Sequence, residues 1–424
     1  MVIGGGWSGC GAALTAVKAG AEVTLLEKTD MLLGMGNVGG IMRNNGRFTA
    51  AEENIALGAG ELFDITDRCS RHINIDFPGH KHASLYDVTK VEPEVRRLLR
   101  EKGVDIRFMT RAVDVVMRDK TIEKLVLAGG EEIGGDVFIE TTGSTGGPGN
   151  CLTYGNGCCM CILRCPAFGP RVSISAKAGG SDIMGKRKDG AFGAFSGSGK
   201  LEKQSLSEEI QQALNEKGAV VIPLPGRAIK KEKLDMKVCR QYALDEYAEN
   251  IILLDTGYAK IMTPFFELDM LRQIPGFENA RYVDPYAGGK GNSIRYLSVA
   301  ERDDWMKAAG VDNLFCGGEK SGLFVGHTEA ISTGSLAGHN AVRYLKGMKQ
   351  LQLPTGTAIG DLISFANKSL EKEEGLMTRF TFAGAEYFDR MQEKGLYSTD
   401  REEIRRRIRR YDLEGIYDES LLNS

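Results

Sequence analysis

The first 27 residues contain the pattern that most limits how this chain can fold. Residues 1–3 form a short apolar strand, and a glycine turn with the spacing G-x-G-x-x-G follows at Gly4, Gly6 and Gly9. A helix of small residues then runs to residue 20, and a second strand ends on Glu27. This order is typical of a βαβ unit that binds a dinucleotide. The sequence therefore predicts an α/β fold that begins with such a unit.

Each residue of the turn has its own physical task. Gly4 permits the tight turn, Gly6 lets the backbone approach a pyrophosphate, and Gly9 lets the helix pack closely on the strand. The helix N-terminus presents backbone N–H groups and the positive end of its dipole to the phosphates. Glu27 is placed to accept hydrogen bonds from the ribose hydroxyls. No second motif of this kind follows a strand, so the sequence predicts no separate domain for NADH.

Later segments favour FAD as the dinucleotide. Residues 104–127 alternate apolar and polar side chains, as a β-hairpin or meander does, and a strand then runs through T-T-G to Gly143. Near the end, N-L-F-C-G-G-E precedes a helix of small residues. This order resembles the flavoproteins related to glutathione reductase, in which a three-layer ββα Rossmann-like domain holds FAD. The resemblance implies flavin contacts for Gly143, Gly317, Gly318 and Glu319, and an adenine contact for Val113.

A narrower resemblance is to the flavoenzymes that modify tRNA uridines, namely the folate-dependent uracil methyltransferase and the GidA enzyme of wobble-uridine modification. It rests on G-G-G-W-S-G-C-G-A-A-L, on F-F-E-L-D-M-L-R-Q-I-P-G-F-E-N-A-R-Y-V-D, on the segment from L-F-C-G-G-E to L-A-G-H-N-A, and on L-P-T-G-T-A-I-G-D-L. These segments cover the first 50 residues, roughly residues 250–345, and part of the tail. The methyltransferases attack the uracil ring with cysteine thiols, and we assign no cysteine of this chain to those positions.

Five of the nine cysteines crowd into the run C-L-T-Y-G-N-G-C-C-M-C-I-L-R-C-P, which neither uridine-modifying family contains. The part C-x-x-C-x-x-x-C-P reproduces much of a ferredoxin ligand spacing. Adjacent side chains diverge, so two neighbouring cysteines rarely bind one cluster. We therefore predict a [4Fe–4S] centre. Its ligands would be Cys151, Cys158, Cys161 and Cys165, with Cys159 as the doubtful member.

Two other interpretations of this run stay open. Four thiolates also suit a closed tetrahedral zinc site, which would only hold the loop together. Free thiols could instead react covalently or form a disulfide against the flavin. The run follows the strand that ends at Gly143, which favours electron transfer to the flavin. We expect Cys10 and Cys316 to be core residues and assign no role to Cys69 and Cys239.

The overall composition points to an ordinary cytoplasmic protein. Net charge is −3 and charged residues make up 26 %, so the surface as a whole is not built to bind nucleic acid. No apolar stretch reaches the roughly 18 residues that a membrane span needs. An odd number of cysteines and no signal peptide favour a reducing compartment. The predicted localisation is therefore cytoplasmic, without membrane partners.

Several polar residues are candidates for the chemistry of the site. His327 falls where the fold would place the flavin ring and is the candidate for proton transfer, with a structural role about equally supported. Lys320 and Glu329 share that stretch and could bind substrate or a flavin phosphate. His80 and His82 could pair on a metal, although a solvated loop is the better interpretation.

Two charged or glycine-rich segments remain. The tail carries the basic helix R-E-E-I-R-R-R-I-R-R-Y, which could dock RNA through its phosphates, although such runs more often form solvated or partner-binding faces. The run S-G-S-G-K at residues 196–200 lacks the phosphate-loop spacing and is predicted to be a surface loop near a substrate entrance.

We predict three units. Residues 1–150 and 300–345 would form a discontinuous FAD-binding domain, residues 151–299 an inserted mixed α+β cap and substrate domain, and residues 346–424 a helical extension. The main functional hypothesis is a FAD-dependent oxidoreductase that couples flavin to an iron–sulfur cluster. The alternatives are a flavin-dependent enzyme that modifies RNA uridines and the flavin subunit of a larger redox complex. The substrate would be a small molecule or RNA, and a ferredoxin-like electron donor and a homo-oligomer stay open.

Overall fold

A five-stranded parallel sheet forms the centre of the fold. The computed structural model describes residues 1–143, 168–195, 199–237, 239–263, 266–283 and 294–421. The central strands are β1 (Val2–Ile3), β2 (Thr24–Leu26), β6 (Asp105–Arg107), β10 (Phe138–Glu140) and β19 (Leu314–Cys316). Their order is β19-β10-β1-β2-β6, and every neighbouring pair is parallel.

The two faces of this sheet pack against different layers. Alternate residues of a strand point to opposite faces. Val2 belongs to the core shared with helices α1 (Trp7–Lys18) and α10 (His327–Leu345). Ile3 belongs to the core shared with an antiparallel meander of β7 (Ala112–Arg118), β8 (Thr121–Leu127) and β9 (Glu132–Gly134). The predicted three-layer Rossmann-like arrangement is therefore confirmed.

One strand belongs to a different sheet from the one that the sequence suggested. The alternating run at residues 104–127 was expected to form a single hairpin or meander. Instead, residues 105–107 form β6 at the edge of the parallel sheet, where Ile106 pairs with Leu25. The meander begins only at Ala112. An alternating pattern indicates a strand but not which sheet the strand joins.

An antiparallel sheet and four helices lie between β2 and β6. The sheet has the order β3-β5-β4, formed by β3 (Ile41–Arg43), β4 (Ser70–Phe77) and β5 (His80–Tyr86). The helices are α2 (Gly36–Gly39), α3 (Gly46–Ala56), α4 (Glu61–Arg68) and α5 (Val91–Glu101). In the sequence, this sheet is not distinguishable from the dinucleotide-binding unit.

The middle of the chain forms a second, smaller core around a four-stranded antiparallel sheet. Its order is β13-β16-β15-β14, formed by β13 (Gly199–Leu201), β14 (Ala219–Pro223), β15 (Asn250–Asp255) and β16 (Ala259–Ile261). Because β13 starts at Gly199, the loop predicted at residues 196–200 ends earlier than expected; residues 196–198 lie outside the described residues. Two short ladders pair β11 (Asp182–Met184) with β18 (Ser298–Ala300) and β12 (Ala194–Phe195) with β17 (Ile294–Arg295).

Short helices complete this region, and four more form the C-terminal part. The first group is α6 (Ile174–Lys177), α7 (Glu208–Lys217), α8 (Glu246–Glu249) and α9 (Leu268–Leu271). The second group is α11 (Ala358–Ser369), α12 (Glu373–Met377), α13 (Ala385–Glu393) and α14 (Arg401–Arg409). The predicted division into three units stays a prediction. Among the described residues, no helix is both long and apolar enough to cross a bilayer.

Candidate functional site

The glycine turn brings β1 and α1 into close contact with β10. Gly4 has φ +103°, and a Cβ atom there would lie 2.7 Å from the carbonyl oxygen of Thr141. The Thr141 hydroxyl donates to the Gly4 carbonyl oxygen at 2.6 Å. A Cβ atom on Gly9 would overlap that same Gly4 oxygen. Gly4 and Gly9 are therefore required by the backbone packing itself.

Gly6 differs from the other two glycines because the space beside it is open. It caps α1 with φ −68°, which any residue can adopt, and a Cβ atom there would meet no atom of the described residues within 4 Å. The first N–H groups of a helix have no partner within the helix and favour an anion. Ser8, in the same turn, has a buried hydroxyl with no hydrogen-bond partner in the described part of the chain. The helix start thus offers both room and donors for phosphate groups.

Glu27 lies at the end of β2 beside this turn, and its carboxylate is fixed there. It accepts hydrogen bonds from the Gly5 N–H at 2.8 Å and from the Thr29 N–H at 2.8 Å and hydroxyl at 2.9 Å. Each carboxylate oxygen can accept more than one hydrogen bond. The side chain is therefore positioned at the turn and can still accept one from a hydroxyl. Its contact with a ribose stays a prediction.

The second glycine pair, Gly317 and Gly318, follows β19 and packs against the start of α1. A Cβ atom on Gly317 would lie 2.5 Å from the Ser8 hydroxyl oxygen. Gly318 has φ +67°, and its N–H donates to the Thr333 hydroxyl of α10 at 2.8 Å. The structure thus brings Gly317 and Gly318 to the same edge of the sheet as the first turn, although 310 residues separate the two segments in sequence.

The other predicted cofactor contacts lie around the same edge. Gly143, with φ +81°, follows β10, and a Cβ atom there would lie 3.0 Å from a guanidinium nitrogen of Arg171. Val113 lies in β7 and packs partly buried against the meander core. Glu319 is half-buried in the short turn after Gly318. These three contacts with a cofactor stay predictions.

His327 begins α10 and lies in an aromatic pocket. Its ring centroid is 6.2 Å from that of Trp7 and 6.0 Å from that of Tyr86. A Cβ atom on Gly39 would overlap the imidazole, so α2 passes directly against it. The ring is half-buried at a helix N-terminus, and Trp7 lies between it and the glycine turn. This position is compatible with proton transfer at a ligand on that edge.

Lys320 and Glu329 do not serve as free ligand-binding groups. The Lys320 amine is buried and pairs with Asp182 at 2.7 Å. Burial lowers the pKa of Lys320, but the charges of Glu140 and Asp182 outweigh it and raise that pKa above its usual value. The fully buried Glu329 carboxylate accepts from both the Arg47 guanidinium at 3.0 Å and the Phe382 N–H at 2.9 Å. Both side chains therefore stabilise the fold, and the suggested role in binding is wrong.

Cys239 is a partly buried cysteine to which the sequence assigns no role. Cys239 is half-buried and lies close enough to Lys237, Arg379 and Arg47 for its charge to affect the pKa of each. Arg47 in turn binds Glu329 in the first turn of α10. In the sequence, Lys237 and Arg240 flank Cys239, and this local pattern is the signal that could have drawn attention to it.

The remaining described thiols are poor nucleophiles. Burial raises the pKa of Cys10 and of Cys316 well above the usual range of a thiol. Both are fully buried, so the expectation of core residues agrees with their position. Burial, followed by the charge of Glu94, also raises the pKa of Cys69.

No metal site is found in the described residues. They contain no group of three or more His, Cys, Asp or Glu side chains that could hold an ion. His80 is buried in β5, where its Nδ1 lies 2.9 Å from the Asn44 amide nitrogen, and burial lowers its pKa to about 3. The interpretation of His80 as part of a solvated loop is therefore wrong, while His82 contacts Asn74 at the surface. The predicted ligands lie outside the described residues: Cys151, Cys158, Cys161, Cys165 and the doubtful Cys159.

The basic C-terminal helix is largely neutralised by carboxylates. Arg405 and Arg409 both pair with Glu414, and Arg401 pairs with Glu52 at 3.3 Å. Arg407 turns inward to the buried Glu53 at 3.4 Å. Of the six arginines in this run, Arg406 and Arg410 alone have no carboxylate partner among the described residues. This pairing weakens the case for α14 as a phosphate-binding face.

Comparison with known proteins places the chain among uridine-modifying relatives. Residues 1–253 and 248–349 match the family described as glucose inhibited division protein A, GidA. A methylenetetrahydrofolate–tRNA-(uracil-5-)-methyltransferase TrmFO from Caldicellulosiruptor bescii is 35 % identical over 96 residues, 23 % of this chain and 21 % of the relative. A tRNA uridine 5-carboxymethylaminomethyl modification enzyme MnmG from Thermus thermophilus is 30 % identical over 114 residues, 25 % of this chain and 18 % of the relative.

A solved structure extends this likeness to almost the whole chain. Aquifex aeolicus GidA in one crystal form has a TM-score of 0.62 at 17 % identity, covering 96 % of this chain and 75 % of that one. Identity at this level shows the fold alone. The sequence matches to the curated relatives span only about a fifth of their length.

Proposed function

Because the chain belongs to the glucose inhibited division protein A family, we propose that it is a FAD-dependent enzyme that modifies uridine in RNA. The main support for the proposal is that four residues lie together at one edge of the parallel sheet, around the N-terminus of α1. They are Gly6, Ser8, Gly317 and His327. Two relatives with matching segments are described as tRNA uridine-modifying enzymes. This alternative now has more support than the electron-transfer enzyme that the cysteine run first suggested.

The residues present fit FAD. The open space beside Gly6 and the donors at the start of α1 suit a pyrophosphate, and Glu27 is fixed where a ribose hydroxyl would reach it. The N-terminus of α10, beginning at His327, faces the same edge, and its dipole favours negative charge on a bound ring. When bound, the flavin supplies oxidation or reduction of a one-carbon unit.

Two side chains of this chain would act on the substrate. The imidazole of His327 would hold or move a proton at its ring nitrogen next to the flavin position. The thiol of Cys239 would contact the uridine. Of the other three described cysteines, Cys10 and Cys316 are fully buried, and burial raises the pKa of the Cys69 thiol.

The test is a nucleoside analysis of tRNA. The protein is produced in a bacterial host that lacks its own TrmFO or MnmG, and the host tRNA is digested and examined by mass spectrometry. We expect a uridine of increased mass that is absent from cells with the empty vector. We expect Cys239→Ala to abolish it while retaining bound flavin, whereas Cys69→Ala leaves both unchanged. Purified protein that contains flavin but changes no uridine would contradict the proposal.

An iron–sulfur flavoenzyme is the second candidate, and the spacing C-x-x-C-x-x-x-C-P is the feature that favours it. Its partner would be a one-electron donor such as ferredoxin, and its thiols would require a reducing, cytoplasmic environment. Zinc in the same cysteines is the structural alternative. Iron, sulfide and zinc analysis of anaerobically purified protein distinguishes the iron–sulfur cluster from the zinc site. Flavin absorption bands without either metal would contradict both hypotheses.

A further inference from the structure

The short helix α2 forms one wall of the aromatic pocket around His327. It contacts the pocket through glycines, so its backbone meets the rings directly. A Cβ atom on Gly39 would overlap Nε2 of His327, and one on Gly36 would overlap the indole Nε1 of Trp7. The Tyr86 hydroxyl donates to the Gly36 carbonyl oxygen at 2.6 Å. All three rings of the pocket are therefore in contact with α2.

Two lysines of the second, smaller core hold the carbonyl end of α2. The Lys260 amine of β16 donates to the Val38 carbonyl oxygen at 2.9 Å, and Lys260 is only 4 % exposed. The Lys200 amine of β13 lies 3.4 Å from the Asn37 carbonyl oxygen. The last carbonyl groups of a helix have no partner inside the helix. These amines therefore supply hydrogen bonds that α2 cannot make by itself.

The register of the four-stranded sheet brings both amines to α2. Lys200 lies directly opposite Lys260 in the antiparallel pair of β13 and β16. Directly opposed side chains of neighbouring strands interact with each other, and like charges there repel. The partial negative charge of the α2 carbonyl groups offsets this repulsion. The lysine pair thus stabilises α2 in the position that it has in the structure, called the closed position below.

The flanks of α2 allow it to move. Gly34 before it has φ +46° and Gly40 after it has φ +74°, and glycine absorbs changes of backbone angle at low steric cost. The packing around α2 also leaves polar atoms unsatisfied. Asn37 Oδ1 and Thr256 Oγ1 are buried without a hydrogen-bond partner in the described part of the chain, and the Thr256 side chain lies against Gly40. Displacing α2 would let these atoms reach water, which lowers the cost of the movement.

We propose that Lys260 and Lys200 are positioning residues that hold α2 against His327, so that the second core sets the position of this wall. Loss of the contacts between the amines and the carbonyl oxygens would let α2 swing away from Trp7 and His327 about its flanking glycines. The consequence for proton transfer by His327 rests on the proposed function. The movement of α2 itself does not.

Trp7 reports the position of α2. Its side chain is 3 % exposed and lies against Gly36, so it becomes accessible when α2 moves away. The chain has two tryptophans, and Trp305→Phe leaves Trp7 as the only one. The test measures the quenching of Trp7 fluorescence by acrylamide in the full-length protein with this substitution.

We expect Lys260→Met to raise the quenching constant at least about threefold, because loss of a buried hydrogen bond from a charged group favours the open position. Lys200→Met should raise it less, because its amine is farther from the carbonyl oxygen. Lys203→Met is the matched control. Lys203 is a buried lysine of the same core whose hydrogen bonds in the described structure go to Asp255 at 2.6 Å and Asn215 at 3.1 Å, so the quenching constant should stay unchanged.

A second variant disturbs the wall without changing a lysine. The methyl group added by Gly39→Ala would overlap the His327 imidazole, so α2 and this ring must move apart. Modification of His327 by diethyl pyrocarbonate, followed by mass spectrometry of its peptide, measures the exposure of the ring. We expect this reaction to be faster in both Gly39→Ala and Lys260→Met and unchanged in Lys203→Met.

Two results would overturn the proposal. One is wild-type quenching and His327 reactivity in a Lys260→Met protein that has native circular dichroism. The other is an equal rise in Lys260→Met and Lys203→Met, which would indicate general loosening of the second core. Raised quenching in Lys260→Met, in a protein whose wild type changes no tRNA uridine, would remove the proposed function and leave the positioning of α2 standing.

Discussion

A single buried lysine carries an unusual electrostatic cost in this protein. The Lys237 amine has no carboxylate partner in the described residues, and burial lowers its pKa to about 7 from the usual 10.5. Between these two pH values, the unfolded chain binds more protons at this lysine than the folded protein does. Stability therefore rises with pH across that window, by up to about 1.4 kcal/mol per pH unit.

Lys237→Met should remove this dependence. We expect the variant to gain in stability relative to the wild type at pH 6, with the difference shrinking as pH approaches 9. Urea unfolding at several pH values measures it. Lys188→Met, at a lysine with an exposed side chain, is the control and should show no trend with pH. A pH-independent difference between Lys237→Met and the wild type would mean that the buried amine keeps an ordinary pKa.

At the scale of elements, the contact between α1 and α10 holds the candidate site together. Cβ atoms on Gly334 and Gly338 would overlap the carbonyl oxygens of Ser8 and Ala12, so the two helices meet backbone to backbone. Gly317 and Gly318 reach Ser8 only because this contact is so close. Small residues therefore determine where the second half of the site lies.

Gly334→Ala should destabilise the protein by about 2 kcal/mol, because the added methyl group can fit only if the backbones of α1 and α10 move apart. Gly129→Ala adds the same methyl group where no atom of the described part of the chain lies within 4 Å, and it should change stability by less than about 0.5 kcal/mol. Thermal unfolding of both variants measures the effect. Equal stability would show that the helices can separate without cost.

The sequence predicted the elements whose roles depend on local spacing. Two elements could be predicted because their glycines have local backbone roles. They are the β1–turn–α1 unit and the glycine pair at residues 317–318 that precedes a helix. The sheet that β6 joins could not be predicted, since an alternating pattern indicates a strand but does not specify its sheet. The surroundings of Cys239 could not be predicted for a similar reason: its charge acts on the pKa of Arg47 and of Arg379, which lie more than 130 residues away in the sequence.

At the scale of the whole molecule, the C-terminal helices pack against the N-terminal unit. Glu53 of α3 accepts hydrogen bonds from the N–H groups of Ala358 at 2.8 Å and Ile359 at 3.0 Å, and Arg407 lies beside it. The chain then returns along α3 and α1, where the Tyr417 N–H donates to the Leu57 carbonyl oxygen at 2.9 Å. The fully buried Glu53 therefore joins α3, α11 and α14.

Glu53→Ala should lower the free energy of unfolding by about 3 kcal/mol, because it leaves two buried N–H groups without their acceptor and removes the buried carboxylate beside Arg407. It should also expose the C-terminal helices to limited proteolysis. Glu402→Ala removes an exposed partner of Arg409 and should behave like the wild type. A Glu53→Ala protein with wild-type stability and protease resistance would show that the C-terminal helices do not depend on this contact.

The central claim is that the edge formed by the glycine turn, α1 and α10 holds FAD. Titration of the flavin-free protein with FAD, followed by flavin fluorescence, tests it most directly when wild type, Gly6→Ala and Gly226→Ala are compared. Both substitutions place a Cβ atom where no atom of the described residues lies within 4 Å, so all three proteins should unfold at similar temperatures. We expect wild type and Gly226→Ala to bind FAD equally, and Gly6→Ala to bind it at least about tenfold more weakly, a loss of about 1.4 kcal/mol. A wild-type protein that binds no FAD, or a Gly6→Ala variant that binds it as tightly as the wild type, would contradict the account.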